Sequence, residues 1–179
     1  MRSPLLTRAL SATFAAVSIT LLAAPSLAGV PAGRYAIGDS VMLGAREALI
    51  ARGIRVNAHV SRQFDDAAPL IRKLAARRLP ANVIVHLGTN GMIDGADCDA
   101  LVRAAGRGRH VYLVTVKVPR DYRDPNNARL RACARRHENA SVIDWYGLSR
   151  YHRAWFYRDG YHLRPIGQRE YARLIDQSI

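Results

Sequence analysis

The sequence has little cysteine, only one long apolar run and none of the common catalytic motifs. It contains two cysteines, and after residue 28 no segment approaches the ~20 apolar residues that cross a bilayer. It has no GxSxG, HExxH or CxxC motif and no glycine loop with a lysine for phosphate. These absences argue against a multispan membrane protein, a hydrolase with a GxSxG elbow, a zinc protease and a nucleotide-binding protein.

Metal ligands and repeats are missing too. The six histidines show no spacing typical of a zinc site, so we expect neither a metal nor a cofactor. They are His59, His86, His110, His137, His152 and His162. No internal repeat or low-complexity tract divides the chain, and residues 34–179 are long enough for one domain with its own core.

The first 28 residues have the pattern of a secretory signal peptide. Arg2 and Arg8 precede an uncharged apolar run over 9–24, and "SLA" ends at Ala28 with small residues where a signal peptidase cuts. We therefore predict export, cleavage after Ala28 and a short linker over 29–33. The alternative is an uncleaved membrane anchor, which the shortness of the run disfavours.

The chain is strongly basic. Its net charge is +13, and it falls to +11 without Arg2 and Arg8. Such a surface attracts polyanions, which for an exported protein are anionic cell-wall polymers or lipid headgroups. The arginines are scattered, with no dense basic tract, so we expect a solvated basic face, no nucleic-acid partner and a monomer.

Short apolar runs alternate with longer amphipathic segments, which is typical of βαβ units. Strands are predicted at 34–38, 54–60, 82–88, 110–116 and 141–145, and helices at 41–52, 64–78, 97–105, 126–137 and 165–177. Right-handed crossovers then predict a three-layer αβα sandwich around a parallel sheet of about five strands in the order 2-1-3-4-5.

The two cysteines fall in neighbouring predicted helices. Cys98 lies in the third helix and Cys133 in the fourth, and the predicted strand order places these helices side by side on one face of the sheet. An even pair in an oxidising compartment favours a disulfide. Two free buried thiols are the alternative.

Polar residues follow four of the predicted strands. Sites in open parallel sheets form at the carboxyl ends of the strands, so side chains from these segments should meet at one edge. The residues concerned are Ser40, Ser61, Asn90, Asp159 and His162. A nucleophilic serine needs a neutral imidazole beside it and a carboxylate that orients that imidazole, and Asp159 and His162 are three residues apart.

Donors for an oxyanion are also available. The backbone N–H of Ser40 at a helix start, the Asn90 amide and the Ser61 N–H could all serve. Each residue also has an ordinary interpretation: Ser40 as a helix N-cap, Asn90 as a left-handed turn residue and His162 as a surface histidine.

The joint pattern resembles the SGNH, or GDSL-like, hydrolases over nearly all of residues 34–179. "GDSVM" is similar to the first block of that family, "LGTNG" to the third and "DGYHL" to the last. The resemblance implies Ser40 as nucleophile, His162 as general base, Asp159 as its partner and Asn90 as an oxyanion donor. The family commonly has glycine in its second block, where this chain has Ser61.

"VSRQ" and "VIDW" look most similar to the exported SGNH domains attached to membrane acyltransferases that O-acetylate peptidoglycan or other surface glycans. Here we expect a free-standing domain. Candidate substrate contacts are Arg62, which could bind a carboxylate or phosphate, Gly88 in the third block, and Trp155, which could stack on a sugar. A solvated Arg62 and a Trp155 used for packing are the alternatives.

The predicted function is that of an exported serine esterase that hydrolyses or transfers a small acyl group, such as acetyl, on a cell-envelope glycan or another polar ester. The alternative is a catalytically silent glycan- or wall-binding module on the same fold.

Overall fold

The computed structural model describes residues 33–179. The predicted signal peptide over 1–28 and all but the last residue of the predicted linker lie outside this range. Within it, no helix is both long and apolar enough to cross a membrane.

Five parallel strands form one sheet in the order β2-β1-β3-β4-β5, so the predicted fold and strand order are confirmed. The strands are β1 Arg34–Gly38, β2 Ile54–Ala58, β3 Asn82–His86, β4 His110–Val114 and β5 Ala140–Ile143. The central strands are apolar on both faces because helices cover the sheet on each side. The predicted strands β2, β3 and β4 ran two residues too far, into the loops that carry the candidate site.

Residues 33–179 contain seven α-helices. They are α1 Ser40–Gly44, α2 Arg46–Ile50, α3 Ala67–Ala75, α4 Gly95–Ala105, α5 Arg123–Arg136, α6 Trp145–Ser149 and α7 Pro165–Gln177, with a 3-10 turn at Arg153–Trp155. Helices α1 to α5 connect the strands, and α6 and α7 follow β5. The prediction of α7 was right at both ends. Helix α6 and the 3-10 turn were not predicted, because five and three residues are too few to show a helical period.

Four predicted helices were wrong in extent, of which α4 begins at Gly95 rather than at 97 and α5 spans Arg123–Arg136 rather than 126–137. The single helix expected over 41–52 is broken at Ala45, whose N–H bonds back to Met42 O as in a tighter turn, next to the poor helix former Gly44. Helix α3 begins at Ala67 rather than at 64. Pro69 explains this difference, because proline is tolerated in the first turn of a helix and not in its interior.

Two clusters of buried side chains hold the layers together. Alternate residues of each central strand enter opposite clusters: Ile37 and Val85 pack toward α3, α4 and α5, whereas Ala36 and Ile84 pack toward α1, α2 and α7. The second cluster also contains Trp145, which is fully buried. Packing on both faces therefore holds the sheet in place, and the loops at its carboxyl-terminal edge begin from fixed positions.

A disulfide joins α4 to α5. Cys98 and Cys133 are bonded, with their Cα atoms 6.2 Å apart and a sequence separation of 35. A crosslink of this loop length restricts the unfolded chain and stabilises the fold by about 4 kcal/mol.

We expect reduction to remove this stabilisation. In urea unfolding, dithiothreitol should lower the free energy of unfolding of the wild-type protein by about 4 kcal/mol. The double variant Cys98→Ala/Cys133→Ala should start at the lower value and show no response to dithiothreitol. A wild-type midpoint that reductant leaves unchanged would contradict the expectation.

Candidate active site

The junction between β1 and α1 places Ser40 at the sheet edge. Asp39 Oδ1 accepts a hydrogen bond from Val41 N at 3.0 Å, so Asp39 is the N-cap and Ser40 is the first residue of the helix. This corrects the interpretation of Ser40 as the cap. Gly38 permits the tight junction, because a Cβ there would lie 2.5 Å from Met42 Cβ.

Ser40, His162 and Asp159 form one hydrogen-bonded row. His162 Nε2 lies 3.0 Å from Ser40 Oγ, and His162 Nδ1 lies 2.8 Å from Asp159 Oδ2. An ionised carboxylate can only accept, so Nδ1 carries the proton and Nε2 is left to accept the proton of the Ser40 hydroxyl. The structure thus joins two segments that are 122 residues apart in sequence.

A compact turn holds the carboxylate and the imidazole together. Asp159 Oδ1 accepts from the N–H groups of Tyr161 and His162, each at 3.0 Å. Gly160 has φ +80°, the left-handed region that glycine adopts without a steric penalty. Lys117, in the loop after β4, also holds the turn, because its Nζ donates to Gly160 O.

The hydrogen bonds around Asp159 keep its carboxylate ionised. Desolvation by partial burial acts to raise the pKa of Asp159, but it is outweighed by the N–H of Tyr161, the imidazole of His162 and the N–H of His162, so the pKa lies below its usual value. The carboxylate is therefore charged in neutral solution, as the tautomer of His162 described above requires.

The loops after β2 and β3 meet beside this row. Ser61 has φ +59°, a backbone conformation that favours glycine, which fits the glycine that SGNH proteins commonly have in this block. Asn90 Nδ2 donates to Arg62 O at 3.1 Å, which ties its amide to the Ser61 loop. Ser61 and Asn90 thus lie together, and their roles as oxyanion donors stay predictions.

Asn126 was missed by the sequence analysis. This fully buried amide donates to Gly88 O at 2.9 Å and Gly91 O at 2.8 Å, and its Oδ1 accepts from Ile93 N at 2.8 Å. It therefore fixes the loop that carries Asn90. The available signal was an amide in the first turn of a predicted helix, but the pairing with a loop 35 residues earlier depends on the tertiary fold.

Two of the predicted substrate contacts have structural roles. Arg62 donates to Gly38 O, Asn57 O and Asn57 Oδ1, so its guanidinium braces the ends of β1 and β2. Burial lowers the pKa of Arg62 against the effect of nearby carboxylates. Gly88 is buried, and a Cβ there would lie 2.6 Å from Ile93 Cδ1, so a glycine is needed for the packing of this loop. Substrate contacts of Arg62 and Gly88 stay predictions.

Trp155 is engaged in packing, the alternative considered for it above. Its indole stacks on His152 with ring centroids 4.0 Å apart and on Trp145 at 5.8 Å. Its carbonyl also accepts from Arg164 N at 2.9 Å. These contacts connect α6 to the start of α7, and a sugar stacking on Trp155 stays a prediction.

One group of possible metal ligands occurs within residues 33–179. Asp99, Cys133 and His137 have donor atoms within 4.8 Å of one another. The Cys133 sulfur is in the disulfide and offers no thiolate, and Asp99 Oδ1 is already paired with His137 at 2.9 Å and with Arg136. This group is a salt-bridged connection between α4 and α5.

A buried histidine lies beneath the Ser40 junction. His86 is fully buried at the end of β3, and its Nδ1 lies 2.8 Å from Tyr171 Oη. Burial lowers the pKa of His86, against the opposing charge of Asp39. His86 therefore binds a proton more weakly in the native protein than in the unfolded chain, and stability falls as the pH drops through about 6.5.

This gives a pH prediction for stability. Between about pH 7 and pH 5 the free energy of unfolding of the wild-type protein should fall by up to ~1.4 kcal/mol per pH unit from His86 alone. The variant His86→Gln keeps a polar partner for Tyr171 and has no titrating ring, so its unfolding free energy should vary less with pH. Equal slopes for the two proteins in urea titrations at several pH values would count against this account.

The fold matches that of the SGNH, or GDSL-like, class of hydrolases. The arrangement of Ser40, His162 and Asp159 is the one that the sequence resemblance to that class implies. Among the relatives of the chain is the O-acetyltransferase OatA of Staphylococcus aureus (strain NCTC 8325 / PS 47), which is 33% identical over 148 residues, or 80% of this chain and 24% of the relative. No family model matches the chain.

Solved structures agree. The C-terminal catalytic domain of Streptococcus pneumoniae peptidoglycan O-acetyltransferase A, solved with a methylsulfonyl adduct, superimposes with a TM-score of 0.75 at 26% identity, over 83% of this chain and 93% of that domain. A lipase/acylhydrolase from Enterococcus faecalis has the same fold, with a TM-score of 0.65 at 17% identity over 82% of this chain and 95% of that chain. The chain spans about a quarter of the length of the curated O-acetyltransferases it matches.

Proposed function

We propose that this protein transfers or hydrolyses a small acyl group, acetyl in particular, held as an ester on a cell-envelope glycan of the peptidoglycan type. The observation that carries the proposal is the continuous row from Ser40 Oγ through His162 to Asp159. The similarity of the chain to a peptidoglycan O-acetyltransferase catalytic domain supports both acyl transfer and a peptidoglycan substrate.

In the first half-reaction Ser40 Oγ attacks the ester carbonyl while His162 Nε2 takes the hydroxyl proton. Asp159 holds the imidazole in the required tautomer and stabilises the imidazolium that forms. The Ser40 N–H, the Asn90 amide and the Ser61 N–H donate to the developing oxyanion. His162 then protonates the departing alcohol, which leaves an acetyl ester on Ser40.

In the second half-reaction His162 removes a proton from an acceptor that attacks the acetyl ester. Water as acceptor gives acetate and an esterase, and a sugar hydroxyl gives an acetylated glycan and a transferase. Ser40 recovers its proton from His162 in both cases. The competition between the two acceptors therefore determines which net reaction occurs.

The alternative of a silent binding module has less support. In this protein His162 is hydrogen-bonded through both ring nitrogens, to Ser40 and to Asp159, and the Asp159 carboxylate is kept ionised. A module that only binds glycans does not need this arrangement. We also propose that the protein is exported, which agrees with the signal-peptide pattern over 1–28 and with an acetyl-glycan substrate outside the cell.

Acetate release tests the proposal directly. O-acetylated peptidoglycan and acetyl-xylan should both be compared with aryl esters of longer acyl chains. We expect fast acetate release from the peptidoglycan, slower release from acetyl-xylan and little turnover of the long-chain esters. Addition of soluble glycan acceptors would reveal transfer as acetylated product. Preference for long-chain esters, or no release from either polysaccharide, would refute the proposed substrate class.

A further inference from the structure

A cavity of about 510 Å³ lies against the turn that carries Asp159 and His162. Gly160, which lies between those two residues, forms part of its wall. Four of the other lining side chains are cationic: Lys117, Arg153, Arg158 and Arg164. We refer to this feature as the cationic cavity.

The charge of the cationic cavity is not neutralised by ion pairs. In the part of the chain that the structure describes, none of its four cations forms a salt bridge with a carboxylate. The carboxylate of Asp159 is the acid next to it in sequence, and that group is paired with His162. An anion that entered the cavity would therefore meet unpaired positive charge.

Lys117 is held in place at the wall. Its Nζ donates to Gly160 O and lies 3.9 Å from the centroid of the Phe156 ring. Desolvation by burial, together with the charge of Arg123, lowers the pKa of Lys117, and Asp159 opposes that effect. A second negative charge nearby would favour the charged ammonium further.

Aromatic rings complete the wall of the cationic cavity. Phe156 and Tyr157 both line it, and Tyr157 is 52% exposed. The Arg164 guanidinium lies 5.7 Å from the centroid of the Tyr157 ring. Phe156 is only 3% exposed, so Tyr157 is the ring that a sugar could contact, while the acid of that sugar contacts the arginines beside it.

We propose that the cationic cavity binds a carboxylate of the same glycan whose acyl ester reacts at Ser40. This inference rests on the proposed function and narrows it to carboxylate-bearing glycans. The volume is sufficient for about one such sugar unit, since small-ligand sites are ~300–1,000 Å³. Because Gly160 forms part of the wall, a unit bound there contacts the turn that carries Asp159 and His162, and binding helps to position the ester.

Calorimetric titration of the full chain tests this proposal without relying on catalysis. The probes are a de-O-acetylated peptidoglycan fragment with free carboxylates, the same fragment with its carboxylates converted to amides, and a glycerol phosphate oligomer. The variant Arg158→Gln/Arg164→Gln removes two cavity cations. Its matched control is Arg72→Gln/Arg77→Gln, which removes two exposed arginines that do not line the cavity.

We expect the wild-type protein and the control variant to bind the free-carboxylate fragment about tenfold more tightly than the amidated one. The cavity variant, which keeps Lys117 and Arg153, should lose most of this preference. Hydrolysis of 4-nitrophenyl acetate, which is small and neutral, should remain within about twofold in all three proteins. Equal binding of the two fragments by the wild-type protein would overturn the proposal, as would tighter binding of the phosphate oligomer or an equal loss in the control.

The two proposals fail in different ways. If no protein hydrolyses 4-nitrophenyl acetate, the proposed chemistry at Ser40 is wrong, and the titrations still report whether the cationic cavity recognises a carboxylate. If hydrolysis is normal and the carboxylate makes no difference to binding, only the further inference is wrong.

Discussion

Replacing Ser40 by alanine is expected to reduce turnover of aryl acetates by about 1,000-fold or more. The substitution removes the only oxygen that His162 Nε2 contacts in the described structure, at 3.0 Å, so no acyl-enzyme can form. The backbone N–H of residue 40 and the Asp39 cap remain, so the fold should be preserved. Initial rates with 4-nitrophenyl acetate and labelling by a fluorophosphonate probe measure the effect.

Ser178→Ala is the matched control for that experiment. Ser178 is exposed near the end of the chain, where its hydroxyl donates to Leu174 O, and it takes no part in the site. This variant should label and turn over substrate like the wild-type protein. If a folded Ser40→Ala protein keeps wild-type turnover, Ser40 is not the nucleophile.

The second large effect is expected from Asp159→Asn, with a loss in kcat of about 100- to 10,000-fold. The amide keeps an oxygen for the N–H groups of Tyr161 and His162, so the turn survives. Its NH₂, however, replaces the oxygen that lies 2.8 Å from His162 Nδ1. Two donors then face each other, which favours the imidazole tautomer that cannot accept the Ser40 proton.

Asp65→Asn provides the comparison, because Asp65 is an exposed carboxylate outside the site. It should leave kcat unchanged. Thermal unfolding should be similar for both variants, which would separate a change in tautomer from a loss of structure. Wild-type kcat in Asp159→Asn would show that another group orients His162.

Much of this site was predictable because its main signals are local. The alternation of apolar runs and helical segments predicts a parallel sheet, and parallel strands bring the loops that carry residues 40, 61 and 90 to one edge. Asp159 and His162 are three residues apart and lie in one turn, so their contact can be predicted from the local sequence alone. The position of α7 was also predictable, since Pro165 marks its first turn.

The remaining features depend on pairings between distant segments. Asn126 donates a hydrogen bond to Gly91 O in the Asn90 loop, 35 residues away in sequence. Lys117 donates to Gly160 O in the Asp159 turn, 43 residues away. In the sequence, nothing near Asn126 or Lys117 indicates which distant backbone carbonyl each side chain binds. The break at Ala45 and the choice of Asp39 over Ser40 as the cap were also missed, because both depend on how α1 packs against β1.

The wide separation of Ser40 from its base has a consequence for biogenesis. On the proposed mechanism, a chain that emerges from the export machinery with its amino terminus first displays Ser40 early, but it has no base until the segment 159–162 has emerged and docked. The nascent protein is therefore inert toward esters through most of its synthesis.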